Sequence, residues 1–172
     1  LSITRISGTE QASIEKSPEL VEEIVGECIS NFKKRHSDVP LTVKIPDEPV
    51  LVSVDAMLIE QVLMNLLDNA VKHAEGMTEL SVDVNISGGQ MHFCVSDNGA
   101  GLDPDIIPVL FRGQIDPADG KSFDSNRFRG IGLAACQAIV SAHGGSISGK
   151  NRPSGGAIFE FIIPMDMEDN EQ

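Results

Sequence analysis

The stretch DAMLIEQVLMNLLDNAVKHAE, residues 55–75, decides the fold, because its apolar and polar residues separate at helical spacing and its polar side is unusual. Asp55 can cap a helix, and Ile59, Leu63, Leu66, Leu67, Ala70 and Ala74 then fall on one side at the 3.6-residue period, which makes them the core face. Opposite them stand Asn65, Asn69, Lys72 and His73, at i, i+4, i+7 and i+8. A solvated face usually carries Glu, Lys, Gln or Arg, since Asn competes with the helix backbone for hydrogen bonds. Two asparagines one turn apart can instead supply neutral amide oxygens to Mg²⁺, with Lys72 meeting phosphate as a point charge. The plain alternative is a polar face that only meets water.

Upstream of this helix, Ser17-Pro18-Glu19 combines a capping hydroxyl, a proline and an acid, and Leu20, Ile24, Cys28 and Phe32 follow at helical spacing, predicting a helix from 18 to about 36. The runs LTVKI (41–45) and VLVSV (50–54), separated by PDEP, predict a hairpin or neighbouring strands. Downstream, ELSVDVNI (79–86) and QMHFCVSD (90–97) alternate apolar and polar residues, predicting paired strands around Ser87-Gly88-Gly89. A short helix is expected from Pro104 to Leu110, a helix from about 131 to 143 ending at Gly144-Gly145, and strands at SISGK (146–150) and GAIFEFIIP (156–164).

The 172 residues, 41% hydrophobic, are enough for one compact domain with a real core. The chain opens on Leu1, and LSITRISG resembles the last turns of a helix entering from upstream, so an excised piece is expected. The net charge of −13 repels nucleic acid and anionic membrane surfaces at long range, and no run approaches the about 20 apolar residues of a membrane span. The tail MDMEDNEQ is acidic and expected to be loose. Cys28, Cys94 and Cys136 are odd in number and far apart, which favours reduced structural thiols over a disulfide framework or a zinc site.

Two glycine-bearing segments carry further chemistry. SDNGAGLDPD (96–105) ends a strand and turns through Gly99 and Gly101, as any turn could. Asp97 at that strand end can accept a hydrogen bond from an exocyclic amine, which would select adenine over guanine, and the glycines would let a flat ring approach the backbone. Residues 112–130, RGQIDPADGKSFDSNRFRG, have no periodicity and bring Arg112, Lys121, Arg127 and Arg129 into an otherwise acidic chain. A basic loop feeding a helix N-terminus suits phosphates, whereas the plain alternative is an ordinary surface loop.

Two motifs fail on context. Gly120-Lys121-Ser122 lacks the earlier P-loop glycine, since position 115 is Ile115. Gly130-x-Gly132-x-x-Ala135 fits the dinucleotide fingerprint, but a loop precedes it where a strand is required, and Lys150 and Asn151 stand where an acid belongs.

Taken together, NLLDNAVKHA (65–74), DNGAG (97–101), LF (110–111) and GIGL (130–133) resemble, in order and spacing, the N, G1, F and G2 boxes of sensor histidine kinases. The resemblance covers residues 18–164 and implies an α/β fold, the two-layer Bergerat sandwich shared with gyrase, MutL and a heat-shock chaperone. It implies a mixed sheet of about five strands with about three helices on one face, an ATP lid at about 111–130, and residues 1–17 as the end of an upstream dimerisation and phosphoacceptor helix with its linker. Residues 165–172 are left as a tail. More narrowly, PDEPVLVSVDAMLIEQVLMNLLDNAVKHA and AHGGSISGKNRPSGGAIFEFIIP resemble the potassium-responsive Kdp sensor kinase subgroup.

Carried onto this chain, the resemblance implies ATP and Mg²⁺ as cofactors. Asn69 would bind Mg²⁺, Asn65 would face the same phosphates, Lys72 would contact phosphate, and His73 would lie near phosphates or ribose. Asp97 would bind the adenine amino group, Gly99 and Gly101 would shape that pocket, Phe111 would anchor the lid, and Arg129, Gly130, Gly132 and Leu133 would meet the phosphates. The partners implied are the upstream phosphoacceptor domain and a response regulator, with no nucleic acid. The fragment would be monomeric, the full-length protein a homodimer, and the domain the cytoplasmic part of a membrane-anchored bacterial sensor.

Departures from the family pattern are specific. A gapless alignment of AACQAIVSAHGG puts Phe128 where the first lid glycine belongs, the F box has one Phe instead of two, and Ala157 replaces a frequent Thr near the adenine. In the ATPase branch of this fold a Glu four residues before the magnesium Asn activates water; here that position is Asn65, which cannot act as a base. Phosphoryl transfer to an outside nucleophile is therefore expected over hydrolysis. None of His36, His73, His92 or His143 has the setting of a phosphoacceptor, so the acceptor is expected upstream. The competing readings are a nucleotide-sensing interaction module and an anti-sigma-type serine kinase.

Overall fold

A computed structural model describes residues 14–112 and 124–165, with the side chains of 124–131 left aside. Residues 1–13, 113–123 (within the expected lid) and 166–172 lie outside the described residues. In chain order the elements are β1 (Ser17–Leu20), α1 (Val21–Arg35), β2 (Leu41–Lys44), β3 (Leu51–Val54), α2 (Ala56–His73), β4 (Leu80–Ser87), β5 (Gln90–Asp97), a 3₁₀ turn (Ile107–Val109), α3 (Asp124–Ala142), β6 (Ser146–Asn151) and β7 (Ala157–Pro164).

Five strands form a mixed sheet in the order β2-β4-β5-β7-β6, and β1 and β3 make a separate two-stranded sheet. Among the described strands only the β2–β4 pair is parallel. Alternation decides which side of the sheet is covered: Leu80, Val82, Val84, Met91, Phe93, Val95, Phe159, Phe161 and Ile163 are buried, while Ser81, Asp83, His92, Cys94, Ser96 and Glu160 on the other side are half-buried. Phe93 and Phe161 lie opposite each other on β5 and β7 and stack with centroids 4.5 Å apart. The helices supply the second layer of this α/β sandwich, through Ile24, Cys28 and Phe32 of α1, Ile59, Leu63, Leu66 and Leu67 of α2, and Leu133, Cys136 and Ile139 of α3.

The long helix starts where its sequence places it: the Asp55 carboxylate caps α2 by accepting the Leu58 N–H at 3.4 Å. The expected β4–β5 hairpin is also present, with Gly88 and Gly89 at φ +62° and +76° supplying a turn that L side chains resist.

Four local expectations are corrected. Residues 18–20 are a strand, and α1 begins only at Val21; Ser17 bonds the Glu19 side chain instead of capping a helix. Pro18, which lacks an N–H, is tolerated because β1 is one edge of a two-stranded sheet. The runs at 41–45 and 50–54 are not a hairpin: β2 pairs with β4 and β3 with β1, and Pro46 and Pro49 between them withhold donors that a tight hairpin ladder would use. The helix expected over 104–110 is a turn and a short 3₁₀ segment. Finally, α3 begins at Asp124, upstream of the expected start near 131, with acidic and small polar residues in its first turn.

The cysteines are free, as expected. Burial pushes the Cys28 and Cys136 thiols up to about 12, so both are unreactive core groups.

Candidate functional site

A narrow cleft opens between α2 and the end of β5. Ala70 and His73 of α2 and the following Ala74 form one wall, Asp97 ends β5 in it, Gly101 and Leu102 form the following loop, and Ala157 and Phe159 close it from β7. The sequence-predicted residues His73, Asp97 and Gly101 therefore meet in one place.

Asp97 is 4% exposed, so its carboxylate must be held by donors. Its Oδ1 accepts the Gly99 N–H at 2.8 Å and the Ala157 N–H at 3.3 Å. No hydrogen bond among the described residues uses Oδ2, which remains for a donor. A flat base with an exocyclic amine provides one, whereas a ring carrying a carbonyl at that position would set oxygen against oxygen.

The glycines of the loop are demanded by close approach. A Cβ on Gly99 would come within 2.8 Å of the Ala74 Cβ, and Gly101 sits at φ +89°, where a Cβ would come within 2.8 Å of the Asn151 Oδ1. The neighbouring Asn98 fixes the loop from below: its Oδ1 accepts the Thr78 and Glu79 N–H groups, each at 2.9 Å.

On α2, Asn69 is half-buried and has no hydrogen-bond partner among the described residues, and Lys72 beyond it is exposed. Asp68, one residue away, is turned to the other side, where it pairs with Arg35 at 2.8 Å and with His36 at 3.1 Å. Asn65 donates its amide to the Cys136 Sγ at 3.6 Å, which ties it to α3. The amide oxygens of Asn65 and Asn69 suit a hard cation that takes most of its ligands from phosphate and water. Phe111, at the start of the expected lid, packs edge-on against Phe159, a residue that also lines the cleft, with centroids 6.3 Å apart.

The residues expected at the end of the lid lie inside a helix. Gly130, Gly132 and Leu133 lie past the first turn of α3, where backbone N–H groups serve the helical ladder, and the free first-turn donors belong to residues 124–127. The Leu133 side chain is fully buried in the core. The side chains of Arg129 and Phe128 lie outside the description.

Sequence reasoning missed three residues. The Arg152 Nη1 donates to the Asp97 backbone carbonyl at 2.7 Å, Asn151 bonds both backbone groups of Leu102, and Gly156 at φ +100° lies directly against the Asp97 carbonyl. The available signal was the Gly155-Gly156 pair before β7, which marks a close backbone approach.

The residues 54–167 match the family of histidine kinase-, DNA gyrase B- and HSP90-like ATPases. Over 154 residues the chain is 40% identical to the sensor protein KdpD of Clostridium acetobutylicum, covering 90% of this chain and 17% of that protein. The sensor protein KdpD of Escherichia coli K12 is 38% identical over 144 residues, covering 84% of this chain and 16% of that protein. The chain thus spans about a sixth of the length of these relatives. The fold matches the catalytic domain of the histidine kinase ThkA with a TM-score of 0.73 at 23% identity, covering 88% of this chain and 97% of that one. By these likenesses the chain belongs to the histidine kinase-, DNA gyrase B- and HSP90-like ATPases, as an ATP-binding catalytic domain of the sensor histidine kinase kind.

Proposed function

We propose that this domain binds ATP with Mg²⁺ and delivers the γ-phosphoryl group to a histidine on an upstream dimerisation and phosphoacceptor domain, for relay to a response-regulator aspartate. The observation that carries the reading is Asp97, buried at the end of the cleft with Oδ1 held by two amides and Oδ2 free of described bonds. That oxygen orients the adenine amine, and Gly99 and Gly101 bring the loop backbone against the ring. Asn69 holds Mg²⁺, which neutralises developing charge on the phosphates when bound, and Asn65 one turn earlier faces the same phosphates. Lys72 contacts phosphate, His73 lies by the ribose or phosphates, and Arg129 and Gly130 end the lid, with Gly132 and Leu133 following them in α3.

Transfer is favoured over hydrolysis because no carboxylate stands at position 65 to activate water, and the Asn65 amide is engaged with Cys136. Positioning and charge neutralisation are what a transfer site must provide. No helix among the described residues is long and apolar enough to cross a membrane. The Kdp likeness favours a cytoplasmic domain of a membrane-anchored homodimeric sensor in potassium or osmotic signalling, the fragment itself being monomeric.

The test uses ATP labelled on the γ-phosphate. The isolated chain is expected to bind it without becoming labelled, and fusion to the native upstream helical domain should yield an acid-labile, base-stable phosphohistidine that Asp97→Asn abolishes. Phosphohistidine on the isolated chain would overturn the proposal. So would acid-stable label on a partner protein, as a serine kinase gives, or ATP binding by the fused protein with no transfer, as a sensing module gives.

A further inference from the structure

The end of β6 and the turn after it grip the Asp97–Leu102 loop at both ends. At the far end, the Asn151 Oδ1 accepts the Leu102 N–H at 2.6 Å and its Nδ2 donates to the Leu102 carbonyl at 3.0 Å. One side chain thus satisfies both backbone groups of a loop residue, as a neighbouring strand would. At the near end, the Arg152 Nη1 donates to the Asp97 carbonyl at 2.7 Å, and the Ala157 N–H donates to the Asp97 Oδ1.

The gripping turn is itself closed. The Arg152 N–H donates to the Gly156 carbonyl at 2.8 Å and the Gly155 N–H to the Arg152 carbonyl at 3.1 Å. Gly156 has no room for a side chain, since a Cβ would sit 1.9 Å from the Asp97 carbonyl oxygen. The two segments therefore fit backbone to backbone. Asn151 is exposed and Arg152 half-buried, so neither bond is explained by a need to satisfy a buried side chain.

We infer that Asn151 and Arg152 are positioning residues that set the selectivity of the cleft for adenine over 6-oxopurines, by clasping the loop between Asp97 and Leu102. The inference rests on the reading of the cleft as an ATP site. An acceptor discriminates an amine from a carbonyl only while it is held in place; a carboxylate free to rotate away, or to admit water, meets either ring at small cost. Neither residue is asked to touch the base. They fix the two ends of the loop on which Asp97, Gly99 and Gly101 stand.

The probes are ATP and inosine triphosphate, which share every group except the purine 6-substituent and the ring proton that goes with it. The native chain should bind ATP about 100-fold more tightly than inosine triphosphate, the span expected of one hydrogen bond to a charged acceptor. Asn151→Ala and Arg152→Ala should narrow that ratio to about tenfold or less, mostly by weakening ATP. Arg152→Lys, which can still donate to the Asp97 carbonyl, should restore much of the ratio, and Asn151→Asp, which keeps the acceptor and loses the donor, should fall between.

A merely structural contact would weaken both nucleotides alike and leave the ratio unmoved. Thermal unfolding of each variant shows that it folds; if Asn151→Ala does not, Asn151→Asp and the two Arg152 variants carry the test. A native chain with no preference for ATP overturns the ATP reading of the cleft. A native preference that survives in folded Arg152→Ala and in the folded Asn151 variants overturns the clasp alone.

Discussion

At the residue scale, two glycines make opposite predictions. Gly156 holds φ +100° with its backbone against the Asp97 carbonyl, whereas Gly26 lies on the exposed side of α1 with nothing within 4 Å of a built Cβ. Gly156→Ala must adopt a conformation costing about 1–3 kcal/mol and push a backbone oxygen aside, so a loss of at least about 2 kcal/mol in urea unfolding is expected, with weaker nucleotide binding. Gly26→Ala should raise stability by about 0.5–1 kcal/mol, because alanine loses less backbone entropy in a helix. Equal midpoints for the two variants would sink both statements. The residues also show what a sequence can reveal. Asp97 is legible because Asn98-Gly99 follows it at a strand end, a local signal; Gly156 and Arg152 act on Asp97 from about sixty residues away, and only the β5–β7 pairing brings them there.

At the element scale, the ends of α2 and α3 are tied through one histidine. His143, 3% exposed, accepts the Asp55 N–H on Nε2 at 3.0 Å, and its Nδ1 lies 2.9 Å from the Ile139 carbonyl. A neutral ring with its proton on Nδ1 satisfies both. The Asp55 Oδ2 in turn accepts the Glu15 N–H at 3.0 Å, so the incoming chain is fastened at the same point. Burial lowers the His143 pKa, opposed by the Ile139 bond; Lys16 lowers it further and Asp55 raises it. With the folded value below the ordinary 6.5, the unfolded chain takes up the proton first as pH falls. Stability from this group is thus complete above about 6.5 and drains away between that pH and the lower folded value. Urea unfolding from pH 7.5 to 5 should show this loss in the native chain, on a difference plot against His143→Gln, whose amide keeps an acceptor without a titration; a flat difference would refute it. Elements with local signals were legible: α2 from its stripe and cap, and the β4–β5 hairpin from alternation and its glycine pair. The partners of β2 and β3 were not, since pairing with β4 and β1 is set by distant strands and the linking prolines only exclude a tight hairpin. The start of α3 was misplaced because Gly130 and Gly132 lower helix propensity locally while the helix is held by Leu133, Cys136, Ile139 and Val140 in the core.

At the scale of the whole molecule, charge and ligand are at odds. The chain carries 26 acidic and 13 basic residues, a net −13, yet the ligand proposed for its cleft is a nucleoside triphosphate, itself anionic even with Mg²⁺. The basic groups next in the chain or bonded to cleft residues and their neighbours, Lys72 beside His73, Arg112 beside Phe111 and Arg152 on the Asp97 carbonyl, act over a few ångströms, while the net field acts over the Debye length. Approach is therefore repelled at low salt, and capture depends on short-range contacts once the nucleotide arrives. Raising ionic strength from about 0.01 M to about 0.15 M shrinks that length from about 30 Å to about 8 Å, which removes most of the long-range repulsion before it weakens contacts inside the cleft. Stopped-flow association of a fluorescent ATP analogue with Mg²⁺ should accordingly speed up severalfold over that range, the reverse of the usual behaviour at a basic phosphate site. A rate that falls with salt would mean that the local lysine and arginines already steer the approach and that the distant acids are irrelevant to it. Neutralising substitutions at the remote acids Glu22 and Glu23 on α1 separate the two cases: they should raise the low-salt rate if the global field governs encounter, and leave it unchanged if the cleft acts alone.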